Sequence, residues 1–349
     1  MGILTTLFAA GAVGGASASL PKTDGSVSPG ISPVYLDYNL IPMLVKKEDG
    51  KLIFSDCPEY ADNYGILYEG TVEKGKGRVY YYHVNETGKP ARVLVYAKSD
   101  KKQDITVTRT VKGDPSADYM PTGATLSFRE AVNEAGDPVL VKLLPKERTV
   151  LFEDDKKGIR SGDLVSGIVE IETKKPVSLG VAIVPDGTKE DVKKALDLSV
   201  PLLPDSHEMR GTFPMDVYME NKPWDFSKGN AAISIGNSLP FQMGRDELSK
   251  VDRENTGDYG ITYHMVFHSR GAGRYKLYIN AQGGVYLGTF QIAIIRTFPA
   301  YTGQTGRDPS ACSETGQKEI TLKQAPGIWD AIFLSASSRQ ELLFSPSAS

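Results

Sequence analysis

Histidine and cysteine are scarce in this chain, with four of the first and two of the second among 349 residues. Cys57 and Cys312 stand far apart in no metal-ligand spacing, which excludes a zinc module and a small disulfide-dense fold. A bridge between them would need the two halves to pack together in an oxidising compartment; two unpaired thiols are the plainer reading. No charge of one sign dominates either: 40 basic residues face 43 acidic ones, for a formal net charge of −3. A nucleic-acid footprint needs a basic stripe that displaces counterions, and none is present. No apolar run is long enough for a stable membrane span. A Gly-x-Ser-x-Gly elbow is also missing, and no serine stands by sequence beside a histidine and an acid.

What is abundant points to strands. Seventeen tyrosines, thirty-five glycines and twenty-one prolines accompany many short alternating runs, an all-β profile. In "DITVTRTV" Ile105, Val107, Arg109 and Val111 are expected on one face and Thr106, Thr108 and Thr110 on the other. "ATLSF" reads as another strand. One helix is expected, opened by Thr188 with Asp191 three residues on, with Val192, Ala195, Leu196 and Leu198 as its apolar side. Before the folded part, "ILTTLFAAGAVGGASAS" ends in Ala16-Ser17-Ala18, like a secretory cleavage site, yet the first basic residue is Lys22. A signal peptide, a mature N-terminal arm and a disordered leader all remain open. The expected organisation is a leader or arm with a Pro/Gly/Ser linker (1–33), a first β-sandwich (34–186), a helix and crossover (187–209), a second β-sandwich (210–336) and a C-terminal tail (337–349). The sandwiches are expected to be related, Ig-like or jelly-roll-like, and in tandem.

A repeat motivates that relation. "DNYGILYEGTV" and "GDYGITYHMVF" each precede a Gly-Arg and a tyrosine-rich run. Tyr64 and Tyr259 lie 195 positions apart, Arg78 and Arg274 lie 196, and Asn85 and Asn280 lie 195. Tyr64-Gly65 and Tyr259-Gly260 therefore serve as markers of two related units.

The tempting sites are weaker. His264 and His268 have the spacing of a metal pair on a helix, but four residues of strand span about 13 Å. His83 and His207 are the only others. Asp154-Asp155 in "EDDKKG" reads as a solvated turn, with a weak calcium site as the sharper alternative, and Glu170 and Glu172 read as an exposed strand face. Nothing calls for a catalytic residue, a metal or a cofactor. Tyr80, Tyr81 and Tyr82 alternate across a strand, so Tyr80 and Tyr82 share a face; with Trp224 in "PWDF" they are the candidate ligand-surface aromatics, against cross-strand packing as the commoner use.

The segments "HVNETGKPARVLV", "SGIVEIETKKPVSLGVAIV", "RGTFP", "NTGDYGITYHM" and "GGVYLGTF" together resemble secreted surface proteins of Gram-positive-type bacteria known through an attached copper amine oxidase N-terminal-type domain. The resemblance runs from about Leu52 to Ile295. It implies a location outside the cell and a β architecture, and no chemistry. The catalytic oxidase would need Asn-Tyr-Asp/Glu and three copper-binding histidines, whereas Asn63-Tyr64 is followed here by Gly65. The expectation is a non-enzymatic extracellular structural protein, a surface-layer or filament subunit assembling with its own copies through sheet edges and the N-terminal arm. The alternative is a module that binds cell-wall glycan or another surface polymer. A hydrolase using Asp154 or Glu170 is the third reading.

Overall fold

The computed structural model describes residues 38–131, 136–197, 201–235, 241–270, 273–281, 290–295, 303–304, 318–324, 328–334 and 340–347. Up to the midpoint the strands are β1 (Tyr38–Leu40), β2 (Met43–Ser55), β3 (Tyr60–Ala61), β4 (Gly65–Val72), β5 (Gly75–Asn85), β6 (Ala91–Lys98), β7 (Gln103–Lys112), β8 (Val139–Leu143), β9 (Arg148–Glu153), β10 (Leu164–Thr173) and β11 (Val177–Pro185). Beyond it come β12 (Arg210–Asn221), β13 (Trp224–Asp225), β14 (Asn230–Ile235), β15 (Met243–Asp246), β16 (Val251–Glu254), β17 (Thr262–Arg270), β18 (Gly273–Ala281), β19 (Phe290–Ile295), β20 (Gly303–Gln304), β21 (Lys318–Gln324), β22 (Ile328–Leu334) and β23 (Gln340–Ser347). The helices are α1 (Tyr119–Ala131) and α2 (Lys189–Asp197). The fold is all-β, as the composition implies.

One sheet joins strands from both halves of the chain in the order β20-β19-β22-β17-β12-β2-β5-β10-β7-β8. A four-stranded sheet, β4-β11-β6-β9, and a five-stranded one, β1-β14-β23-β18-β21, accompany it. Strand β2 pairs antiparallel with β12 and parallel with β5, so backbone hydrogen bonds cross the expected boundary at 187–209. The two units are thus not separate at the level of sheet pairing. Ile53 enters the core shared with the four-stranded sheet, through Leu67, Val95, Val169 and Val181. Its neighbours Leu52 and Phe54 enter a second core with Phe213, Val217, Ile233, Tyr263 and Phe267. Successive residues of a strand face opposite ways, so each core covers a different face of the same sheet.

Several elements differ from the sequence expectation. Residues 119–131 form helix α1 where "ATLSF" suggested a strand: Thr122, Leu126 and Glu130 are buried at helical spacing, and Leu126 packs on Val111 and Ile168. Among the described residues there are therefore two α-helices rather than one. In β7 the expected common face breaks at a register shift opposite Glu170/Ile171. Ile105 and Val107 face the first core, whereas Val111 faces α1; a bulge inverts the alternation. Residues 340–347, expected as a tail, form β23 between β14 and β18.

The capping reading of α2 holds. Thr188 Oγ1 donates to the Asp191 carboxylate at 2.8 Å and accepts from Asp191 N at 3.3 Å. Val192 and Leu196 pack on Leu94, Tyr96, Ala182 and Val184, so this connection belongs to the first core's outer face. The repeat glycines have physical reasons too. A Cβ on Gly65 would lie 2.6 Å from Pro201 O, and Gly260 has φ +74 with Tyr80 Cβ 3.0 Å from where its own would stand. Both positions need a bare backbone.

Arg78 joins the two halves. It is 4% exposed, donates to Glu170 at 2.9 and 2.6 Å, and reaches Gly260 O at 2.8 Å and Thr262 Oγ1 at 2.9 Å. Burial works against its charge, but Glu170, Glu130 and Asp216 outweigh that, so its pKa stands above the ordinary value. Glu170 is accordingly a half-buried ion-pair partner, not an exposed strand residue. Removing one member of such a pair leaves an uncompensated buried charge. Arg78→Ala is expected to lower stability by about 3–5 kcal/mol in urea unfolding, and Arg78→Met with Glu170→Gln to recover part of the loss. A loss below about 1 kcal/mol would fit a solvent-screened surface pair instead.

Candidate functional site

The face of β5 that carries Tyr80 and Tyr82 ends beside the segment 56–60, and β5 itself holds that segment in place. Val84 N donates to Glu59 O at 2.7 Å. His83 is fully buried, between Pro58 O at 2.8 Å and Ser55 Oγ at 2.9 Å. A carbonyl only accepts, so Nδ1 carries the proton and Nε2 accepts from the serine. Burial pushes the His83 pKa down to about 4, and the ring is a neutral strut at neutral pH.

On this support Asp56, Glu59, Tyr60, Tyr82 and Tyr119 come together. Asp56 Oδ1 is buried with no hydrogen-bond partner. Burial first, then the Glu59 charge, raises the Asp56 pKa well above the usual carboxylate value. Tyr60 is 45% exposed, and its ring lies 6.5 Å from that of Tyr119. Its hydroxyl pKa is pushed up to about 12, mainly by the hydrogen bond with Tyr119 and then by Glu59. Tyr82 is half-buried, and burial with Glu59 and Asp56 raises its pKa too. The arrangement offers aromatic faces beside two carboxyls, one of which favours its protonated, hydrogen-bond-donating form. It can stack a ring and bond hydroxyls.

The sequence-predicted residues divide. Tyr82 belongs to this cluster. Tyr80 borders it but packs inward: its ring stacks on Phe54 at 5.7 Å, and Phe54 stacks on Tyr259 at 5.9 Å. Tyr80 is therefore packing, not an open platform. Trp224 lies elsewhere, paired with Ser269 at the far end of β17, its Nε1 donating to Gly229 O at 3.1 Å. Tyr64 packs against the first core. Cys57 is a buried free thiol that accepts from His207 N at 3.1 Å, and burial pushes its pKa up. Cys312 lies outside the described residues. Asp154, expected in a solvated turn, is 4% exposed, accepting from Tyr81 OH at 2.5 Å and Lys112 Nζ at 3.0 Å. The reason is that the fully buried Tyr81 hydroxyl needs an acceptor and the Lys112 ammonium a counter-charge. His264 and His268 each contact their own carboxylate, Asp216 at 3.1 Å and Glu220 at 3.5 Å. Among the described residues no three ligating side chains gather for a metal, and no helix is long and apolar enough to cross a membrane.

Sequence reasoning missed Asp56, Glu59, Tyr60 and Tyr119. Tyr60 alone carried a signal, an aromatic flanked by Glu59 and Asp62; Tyr119 comes from a helix 59 residues on. No protein-family model matches this chain, and no curated protein matches it.

The Asp56 shift sets a pH dependence. A carboxyl whose folded pKa is raised contributes stability below its unfolded pKa of about 4, and that contribution is lost as pH rises through the folded value. Asp56→Asn is expected to be more stable than the wild type at pH 8, with the difference vanishing near pH 4, by thermal unfolding across pH. A constant difference at every pH would count against a buried, titrating Asp56.

Proposed function

We propose that the protein is a non-enzymatic extracellular structural subunit that assembles with copies of itself through an open sheet edge. The observation that supports this is the lateral edge of the first core. Both sheets end there, at β8 and at β9. Val139 is 56% exposed and Leu140 70%, and Leu144 and Val150 are exposed beside them. Unpaired backbone N–H and C=O groups next to bare apolar side chains recruit a further strand. The two cores are read as related units. Strand β4 pairs antiparallel with β11, and β11 with β6; β17 pairs likewise with β22, and β22 with β19. The Gly-Arg strands follow suit, β5 with β10 and β18 with β21. The resemblance to secreted surface proteins and the signal-like leader support a location outside the cell; residues 1–37 lie outside the described residues.

Full-length protein is expected to form larger species with rising concentration in light scattering and negative-stain microscopy, and Leu140→Lys to suppress them. Assembly unchanged in Leu140→Lys sinks the edge as the contact. Deleting Met1–Leu20 separates the arm from the edge, because only an arm-borne strand would be lost with it.

A second reading, a glycan-binding module, rests on the cluster of Tyr60, Tyr82 and Tyr119 beside Asp56 and Glu59. Under it, Tyr60→Ala abolishes binding on a glycan array while Trp224→Ala leaves it intact. The reverse pattern would remove this cluster from consideration.

A further inference from the structure

A groove of about 650 Å³ lies between α2 and β9 on the outer side of the four-stranded sheet. Leu94 and Val192, both buried, contribute to its floor, and Lys142, Lys156, Lys189 and Lys193 line it from three separate stretches of chain. Lys189 and Lys193 are four apart on α2 and so share a face. Two carboxylates line the groove as well, Glu147 and Glu153; the second is taken by Arg92 at 2.6 Å. Among the described residues, none of the four lysines has a carboxylate partner. Arg148 also lines the groove: its guanidinium lies 5.5 Å over the Tyr96 ring, Nη1 donates to Leu196 O at 2.9 Å, and Nε is buried with no acceptor. This is a local basic site on a chain whose net charge is −3.

We propose that this groove holds a ring-free polyanion, a chain of phosphate or phosphodiester groups. Lysine ammoniums are compact point charges on flexible stems that bind phosphate without a planar fork, and the two arginines that line the groove are already engaged, Arg92 by Glu153 and Asp186 and Arg148 by Leu196 O and the Tyr96 ring. No aromatic side chain lines the groove. Single-stranded nucleic acid and sugars are held by stacking, and neither finds a platform there. The apolar floor fits the methylenes that link phosphodiester groups. The groove shares Lys142, Leu144 and Val150 with the open edge but no residue with the tyrosine cluster; Lys189 and Lys193 of α2 lie off that edge, so loss of binding in an α2 variant is separable from loss of assembly.

The test is calorimetric titration of the full-length protein with inorganic polyphosphate and with poly(glycerol phosphate), alongside polyglutamate and single-stranded DNA of matched charge. Saturable binding to the two phosphate polymers is expected, with affinity falling as salt rises on a log–log slope of about −3 for four neutralised lysines. Lys189→Gln with Lys193→Gln should weaken binding about tenfold or more and halve that slope. Lys174→Gln with Lys175→Gln, exposed residues that do not line the groove, should change neither. Circular dichroism establishes that the variants fold. The proposal is overturned if no phosphate polymer binds saturably, if the α2 double variant binds like the wild type, or if polyglutamate or DNA binds as tightly through the same lysines.

Discussion

Leu52 and Phe54 face one core while Ile53 faces the other, and this alternation on a single strand constrains everything around it. Neither half of the chain can release β2 without opening the core of the other half. The strand accordingly reads "KLIFS", apolar at three consecutive positions, as a strand buried on both faces must. Its parallel pairing with β5 requires the chain to leave the sheet and return. It does so through β4, which belongs to the opposing four-stranded sheet. A tandem of independent sandwiches would need no such shared strand.

The seam also carries buried charge, and that choice has a physical logic. An ion pair taken out of water contributes little more to stability than well-packed apolar residues would, but it tolerates few geometries. Arg78 bonds Glu170 within the first half and the carbonyl of Gly260 in the second. Only one placement of the second Tyr-Gly-Ile stretch satisfies both. The positive φ of Gly260 turns its backbone against Tyr80, and Tyr259 then closes a stack with Phe54 between it and Tyr80. Charge, glycine and aromatic stack fix one register from three directions.

Much of this was legible in the residues. Strand content and the α2 cap followed from alternation and capping chemistry. What stayed hidden was long-range. Thr125 and Phe128 of "ATLSF" carry strand propensity, and only Val111 and Ile168 beneath Leu126 favour the helix. The bulge in β7 has no signature in a run of alternating threonines. Asp154 and Glu170 read as solvated because their partners, Lys112 with Tyr81 and Arg78, come from strands distant in sequence. The cluster around Asp56 escaped for the same reason, since Tyr119 and Tyr60 belong to different elements.

Because Tyr80 and Tyr259 are consumed by the seam, the proposed edge and the proposed groove both draw on the margin of the first core instead. The open edge and the basic groove are neighbours there, and Lys142 belongs to both: it sits on β8 and lines the groove. A lysine on an edge strand opposes indiscriminate pairing, since a second strand must bury or repel its charge. An anion held against Lys142 lowers that opposition over distances within a Debye length, about 8 Å at physiological salt. The proposed edge contact and the proposed anion groove therefore share one charge, that of Lys142, and a change at that residue bears on both.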